Sequence, residues 1–384
     1  MNRRTFLKST AVAGSIGFAH SVLPTLQAED ASAASASAIS TTPQPLEEKD
    51  GFVWYDVAKL PVEGRAWEGE ERLRDFDRFP KRWMEKIPVR GLAQHSAGMA
   101  FRFVSNATGF QIDYDLLSGG LAMYHMPATG VSGFDLYARD DTGKFRFVDM
   151  RQKGKTAKTD LGSGMESGPT REFLIYFPLY NGVNSFKLGV PKTASFALPQ
   201  PRTSKPILFY GTSILHGGCA SRSGLAYPSQ LCRRLDVPHW NFGFSGSGKM
   251  EPVMGDAFAE LDPSLYVLDC VWNMNNDLLK ANVVPFVEKI RAAHPETPIL
   301  MVEDSIAPCS WINPGRAKGH ADKQAIYRAA FDELQGKNIG KLYYLEGEKL
   351  SDPEGTVDNC HPNDLGFLKH VNAFEPVVRD ILNL

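Results

Sequence analysis

Past its first residues the sequence has no stretch approaching the ~20 consecutive apolar residues that a membrane-spanning helix needs, so no integral membrane span is expected. It has almost no net charge, −2 by formal count, and without a basic footprint no nucleic-acid partner is expected. Cysteine is sparse: Cys219, Cys232, Cys270, Cys309 and Cys360 are the five in 384 residues, and their spacing matches neither a disulfide framework nor a zinc site. An odd number leaves at least one thiol free or bridging between molecules. No metal or cofactor is expected from any other ligand spacing. What the chain does have is apolar bulk, 43% of residues, enough for about two domains with a core each.

The first 28 residues, with Arg3, Arg4, Phe6 and Leu7 ahead of a short, weakly apolar run, resemble a twin-arginine export signal. An ordinary signal peptide and a basic arm are the alternatives. Export places the mature protein in the periplasm or outside the cell. Residues 29–50 are poor in large apolar side chains and rich in Ala, Ser, Thr and Pro, as a disordered linker would be.

Residues 51–200 have the texture of short strands. "GMAFRFVSNATGFQIDYDLLSG" alternates apolar and polar residues, "GVSGFDLYARDDTGKFRFVDM" reads as two strands about a turn, and "REFLIYFPLYNGVNSFKLGV" adds two more around Asn-Gly. The expectation is an antiparallel, jelly-roll-like β-sandwich. The mixed-charge stretch "EGEERLRDFDRFPKRWMEK" reads as a solvated surface segment. In residues 201–384 the pattern changes: "PILFYG", "LYVLDCVW", "TPILMVED" and "KLYYLEG" are continuous apolar runs separated by helical segments, which predicts an α/β domain with a buried parallel sheet in three layers.

In such a sheet chemistry collects at the carboxyl ends of strands, and Ser213 follows the first of them. A serine hydroxyl attacks only when a base takes its proton and a third group holds the base. Asp358 and His361, three apart, are a candidate pair. Gly246 in "WNFGFSGSGKME" offers a backbone N–H, and Asn273 in "LDCVWNMNND" a side-chain amide, to a developing oxyanion. Taken alone, a Gly-Thr-Ser turn reads as a helix-capping serine, and lone histidines such as His95, His125 and His320 as surface or packing groups; His216, three residues after Ser213, reads first as a structural group and second as one lining the pocket.

In this order the blocks resemble those of the SGNH/GDSL hydrolase superfamily, and "GFDLY" at 133–137 resembles the signature of a sandwich domain that precedes one bacterial branch of it. The resemblance implies Ser213 as nucleophile, His361 as base and Asp358 as its orienter. Its oxyanion hole would be the N–H groups of Ser213 and Gly246 with the Asn273 amide. Thr212 stands where the usual first block has Asp, and the third block departs enough that Asn276, followed by Asp277, is a second candidate donor. The implied activity is a serine esterase, with an acetylated carbohydrate as the expected substrate. Short-chain lipase or thioesterase activity, or a sugar-binding protein without activity, are the rival readings. A Gly-x-x-x-x-Gly-Lys at Gly243–Lys249 lacks the Ser or Thr that would ligate magnesium, and so argues weakly for nucleotide binding.

Overall fold

The computed structural model describes residues 39–384; the expected signal lies outside the described residues. Twelve strands form the N-terminal half: β1 (Ile39–Thr41), β2 (Glu47–Lys49), β3 (Phe52–Asp56), β4 (Val62–Glu63), β5 (Ala100–Ser105), β6 (Phe110–Leu116), β7 (Phe134–Arg139), β8 (Phe145–Arg151), β9 (Thr156–Leu161), β10 (Arg171–Tyr176), β11 (Val183–Pro191) and β12 (Phe196–Pro199). They pair as two antiparallel sheets, β1-β12-β5-β10-β7-β8 with β4 added beside β5, and β2-β3-β11-β6-β9. Alternate residues of each strand point to one face. Phe101, Phe103, Phe173 and Ile175 of the first sheet therefore meet Ile112, Phe186 and Leu188 of the second in one core.

The strands β1 and β2 lie inside the stretch whose composition suggests a linker, so ordered pairing begins before residue 51. Strand addition at a sheet edge uses backbone groups, and needs little side-chain burial; β2 is fully exposed and carries Glu47, Glu48 and Lys49, charges that suit an edge.

Five parallel strands follow: β13 (Ile207–Gly211), β14 (His239–Gly243), β15 (Leu265–Asp269), β16 (Ile299–Val302) and β17 (Leu342–Leu345), in the order β14-β13-β15-β16-β17. Both faces of this sheet are covered, which is why its strands read as continuous apolar runs. Leu208, Tyr210 and Leu268 face one side, against the helices Asn276–Ala293 and Pro314–Gly336. Ile207, Phe209 and Val267 face the other, against Tyr227–Leu235 and Asp364–Leu382. The result is an α/β/α domain preceded by a β-sandwich.

The charged stretch before residue 90 departs from its reading as a solvated segment. Trp67, Phe79, Trp83 and Met84 are buried against the parallel sheet's own core, while Glu68, Glu71, Lys81, Arg82, Glu85 and Lys86 face outward and Asp77 and Arg78 are buried. Arg78 is fully buried and donates to the carbonyls of Asn241, Gly243 and Leu92, tying this segment to the end of β14. Among the described residues no helix is long and apolar enough to cross a membrane.

Candidate active site

Strand β13 ends at Gly211, and Thr212 caps the short helix α1 (Ser213–His216) by accepting from the Ile214 N–H at 3.3 Å. The strand order reverses beside β13, so Ser213 sits at the carboxyl-end crevice where open α/β sheets bind ligands. The neighbouring strand holds α1 from below. Asn241 donates to the Leu215 carbonyl at 3.0 Å and accepts from the Gly243 N–H at 2.9 Å. Gly243 leaves no room for a side chain, because a Cβ there would lie 2.1 Å from the His216 nitrogen.

The C-terminal loop brings the second part. Asp358 accepts from the backbone N–H groups of His361 at 2.8 Å and Cys360 at 3.2 Å, closing a turn that aims the imidazole. Its other oxygen meets His361 Nδ1 at 2.7 Å, and His361 Nε2 meets Ser213 Oγ at 2.9 Å, across 148 positions of sequence. A carboxylate can only accept, so it fixes the tautomer: Nδ1–H donates to Asp358 and Nε2 is left to accept from the serine. Burial pushes the Asp358 carboxyl up, but the hydrogen bonds from the His361 backbone and ring outweigh it and hold the group below its usual range, as the anion.

The expected oxyanion groups lie on the adjoining segments. Among the described residues no acceptor takes the backbone N–H of Ser213 or of Gly246. Gly246 has φ +67°, the left-handed conformation that glycine adopts without strain. Asn273 closes a short turn after β15, and its amide donates to the Phe244 and Ser247 carbonyls on either side of Gly246. Asn276 instead opens the helix α4 (Asn276–Ala293), after Asn275, which caps it. Between α1 and α4 run α2 (Tyr227–Leu235) and α3 (Pro252–Phe258), and after α4 come α5 (Pro314–Gly336) and α6 (Asp364–Leu382).

Several groups beside the site carry no sequence signal. Tyr180, from the sandwich, donates to the Ser213 carbonyl at 3.1 Å and stacks on His216. His216 itself is fully buried on the Leu179 carbonyl, a packing group. His125 lies close to the same imidazole: the sandwich loop Met123–Met126 turns tightly on itself, Met126 anchors it in the α/β core, and the His125 ring lies 5.5 Å from that of His361. Cys219, with φ +74°, is buried nearby, and burial first and the Asp358 charge second push its thiol up to about 12, so it is no nucleophile at neutral pH. Spacing could not reveal these neighbours, because each comes from a different segment.

The acidic pair at the end of β16 is committed to structure. Glu303 accepts from Tyr344 and the Gly347 N–H, and Asp304 holds His320 Nδ1 at 2.7 Å. In the glycine-lysine stretch Met250 is buried, and the Lys249 carbonyl accepts from Asn282. Next to the Asn273 turn, Trp272, Asn313, Arg316, His320 and Lys323 line a cleft of about 420 Å³, within the range of small-molecule sites.

Residues 204–379 match the GDSL-like lipase/acylhydrolase family, and residues 52–196 match the GxDLY domain, the N-terminus of SGNH-hydrolase-type esterases. A solved structure from Bacteroides ovatus, described as a GDSL-like lipase, is 30% identical with a TM-score of 0.81, over 86% of this chain and 98% of that one. The fold is shared with a salicylyl-acyltransferase from a tetracycline biosynthetic pathway, at TM-score 0.70 and 17% identity over 87% and 99% of the two chains. It is shared too with an acetyl xylan esterase from the rumen bacterium Butyrivibrio proteoclasticus, at TM-score 0.58 and 13% identity over 86% and 99%. Among curated proteins none matches. With both halves matched in order and a relative of 30% identity spanned almost end to end, the chain belongs to the GDSL-like lipase/acylhydrolase family of esterases.

Proposed function

We propose that the protein is an exported serine esterase that removes short acyl groups, acetyl above all, from carbohydrate. The observation that carries this reading is the hydrogen-bonded line Ser213 Oγ, His361 Nε2, His361 Nδ1, Asp358 Oδ2, at 2.9 and 2.7 Å. In it Ser213 attacks the ester carbonyl while Nε2 takes its proton, and His361 then gives that proton to the departing sugar oxygen, which leaves as the alcohol. A water follows the same route to free the acid. Negative charge on the carbonyl oxygen is met by the N–H groups of Ser213 and Gly246 and by the Asn273 amide, which can turn from its carbonyls toward substrate.

Carbohydrate as substrate is supported by the acetyl xylan esterase that shares the fold, by the cleft beside Trp272 and by Tyr124, 96% exposed and stacked on His125. Trp54, Trp67 and Trp83, aromatics that could stack on a sugar if exposed, are buried. The export reading rests on the twin-arginine-like residues 1–28. The test is acetate release from acetylated xylan, acetylated pectin and p-nitrophenyl esters of rising chain length, with Ser213→Ala beside the wild type. Acetate release by wild type alone supports the reading, and a preference for longer acyl chains would make the protein a lipase instead. Equal activity in the variant would refute Ser213 as nucleophile.

A further inference from the structure

Three side chains that bind soft metal ions converge where no sequence spacing announces them. His125 comes from the sandwich loop, Cys219 from the turn after α1 and His361 from the loop before α6, and one ligand atom of each lies within 4.8 Å of the others. A tetrahedral zinc ion, with bonds of about 2.1 Å to nitrogen and 2.3 Å to sulfur, sets its ligand atoms roughly 3.4–3.6 Å apart. Ring rotations of about an ångström therefore close the set. Independently, His125 Nδ1 is buried with no hydrogen-bond partner, an orphan that a ligand would satisfy. The second shell also exists already: Asp358 holds His361 Nδ1 at 2.7 Å, the carboxylate–histidine arrangement that orients metal-bound imidazoles and raises their basicity.

We infer that His125, Cys219 and His361 form a site for a thiophilic divalent cation, zinc or its like, whose occupation switches the esterase off. The ligand set, two imidazoles and a thiol, selects such ions over magnesium and calcium, which require oxygen. On binding, the Cys219 S–H bond is replaced by a sulfur–metal bond and the proton passes to solvent, with no change of oxidation state. Thiolate and Asp358 together balance the ion's two charges. Nδ1 of His361 stays on Asp358, so Nε2 is the nitrogen that coordinates. It cannot at the same time accept the Ser213 proton, and ion and catalysis exclude one another. Inhibition in this form rests on the reading of His361 as base; binding does not.

The test uses the full chain, freed of metal by a chelator and then titrated with zinc or cobalt(II). Expected are one ion per chain, a thiolate-to-cobalt charge-transfer band in the near ultraviolet, and a fall of at least about tenfold in p-nitrophenyl acetate hydrolysis at saturating zinc, reversed by chelator. Cys219→Ala should lose the band. Cys219→Ala and His125→Gln should each need at least about 10- to 100-fold more zinc for half-inhibition, relative to their own metal-free rates, since removing even an outer-shell partner of a metal site costs that much. His125→Gln lies on a surface loop and serves if Cys219→Ala does not fold. Ser213→Ala should keep the cobalt band while losing hydrolysis; if it stays active, the nucleophile assignment fails and the metal site stands. No charge-transfer band in wild type, or zinc inhibition unmoved by both variants, overturns the site.

Discussion

Ser213 is buried, its hydroxyl has one basic partner, and that partner's tautomer is set by one carboxylate. Removing the hydroxyl should be close to total: Ser213→Ala is expected to lower kcat by about 10⁴-fold or more with the thermal midpoint unchanged. Asp358→Asn tests the tautomer. An amide can donate to Nδ1 and leave the proton on Nε2, so kcat should fall by up to about 10⁴-fold while KM moves little. A loss under tenfold would show that the backbone, not the carboxylate, orients the ring.

The elements that deliver these side chains are short and tightly pressed. Helix α1 has four residues, too few to hold itself, and depends on β14 beneath it. Gly243→Ala pushes a Cβ to 2.1 Å from the His216 backbone nitrogen, and should lower the unfolding midpoint and displace Ser213, with activity lost in proportion. A variant with wild-type rate and stability would mean that the helix can shift freely. The turn after β15 makes a sharper distinction: Asn273→Ala should cost ~10²–10³ in kcat, the usual loss of one oxyanion donor. Asn276→Ala, on α4, should stay within a few-fold. The reverse ranking would move the donor to Asn276.

Across the whole molecule the sandwich and the α/β layers share polar anchors. In β7, period-two alternation sends Phe134 and Leu136 into the sandwich core and Asp135 and Tyr137 outward. There Asp135 accepts from Arg222 and from the Gly224 N–H, both at 2.9 Å, and Tyr137 meets Arg222 at 2.6 Å. The GFDLY motif is thus a joint to the segment just after Ser213. Asp135→Ala leaves the buried Gly224 N–H without its acceptor and Arg222 without its carboxylate, and should cost about 1–3 kcal/mol in chemical denaturation. Asp269, at the end of β15, is fully buried with one donor, Tyr227, and burial lifts its carboxyl to about 7. A raised pKa favours the protonated folded form, so its contribution is complete below about pH 4, the unfolded value, and is lost as pH rises through 7. Asp269→Asn should remove that dependence: between pH 5 and 8 the wild type should lose stability that the variant keeps. Parallel curves would sink the assignment.

Local pattern determined much of this protein. Alternation marked the sandwich strands and buried runs marked the parallel sheet, because these properties depend on neighbours within a few residues; the esterase family followed from the resemblance of several blocks in order, not from any one of them. Pattern did not mark the edge pairing of Ile39–Thr41 and Glu47–Lys49, which uses backbone groups shared by every residue. It misread the segment around Phe79 and Trp83, whose charges dominate the composition while its aromatics fill another element's core. Only the folded chain decided that His361 meets Ser213, that Asn273 rather than Asn276 flanks Gly246, and that His125 and Cys219 stand beside the imidazole. Each of these is a contact between segments distant in sequence, fixed by how sheets and helices pack, and periodicity carries no information about which surfaces will meet.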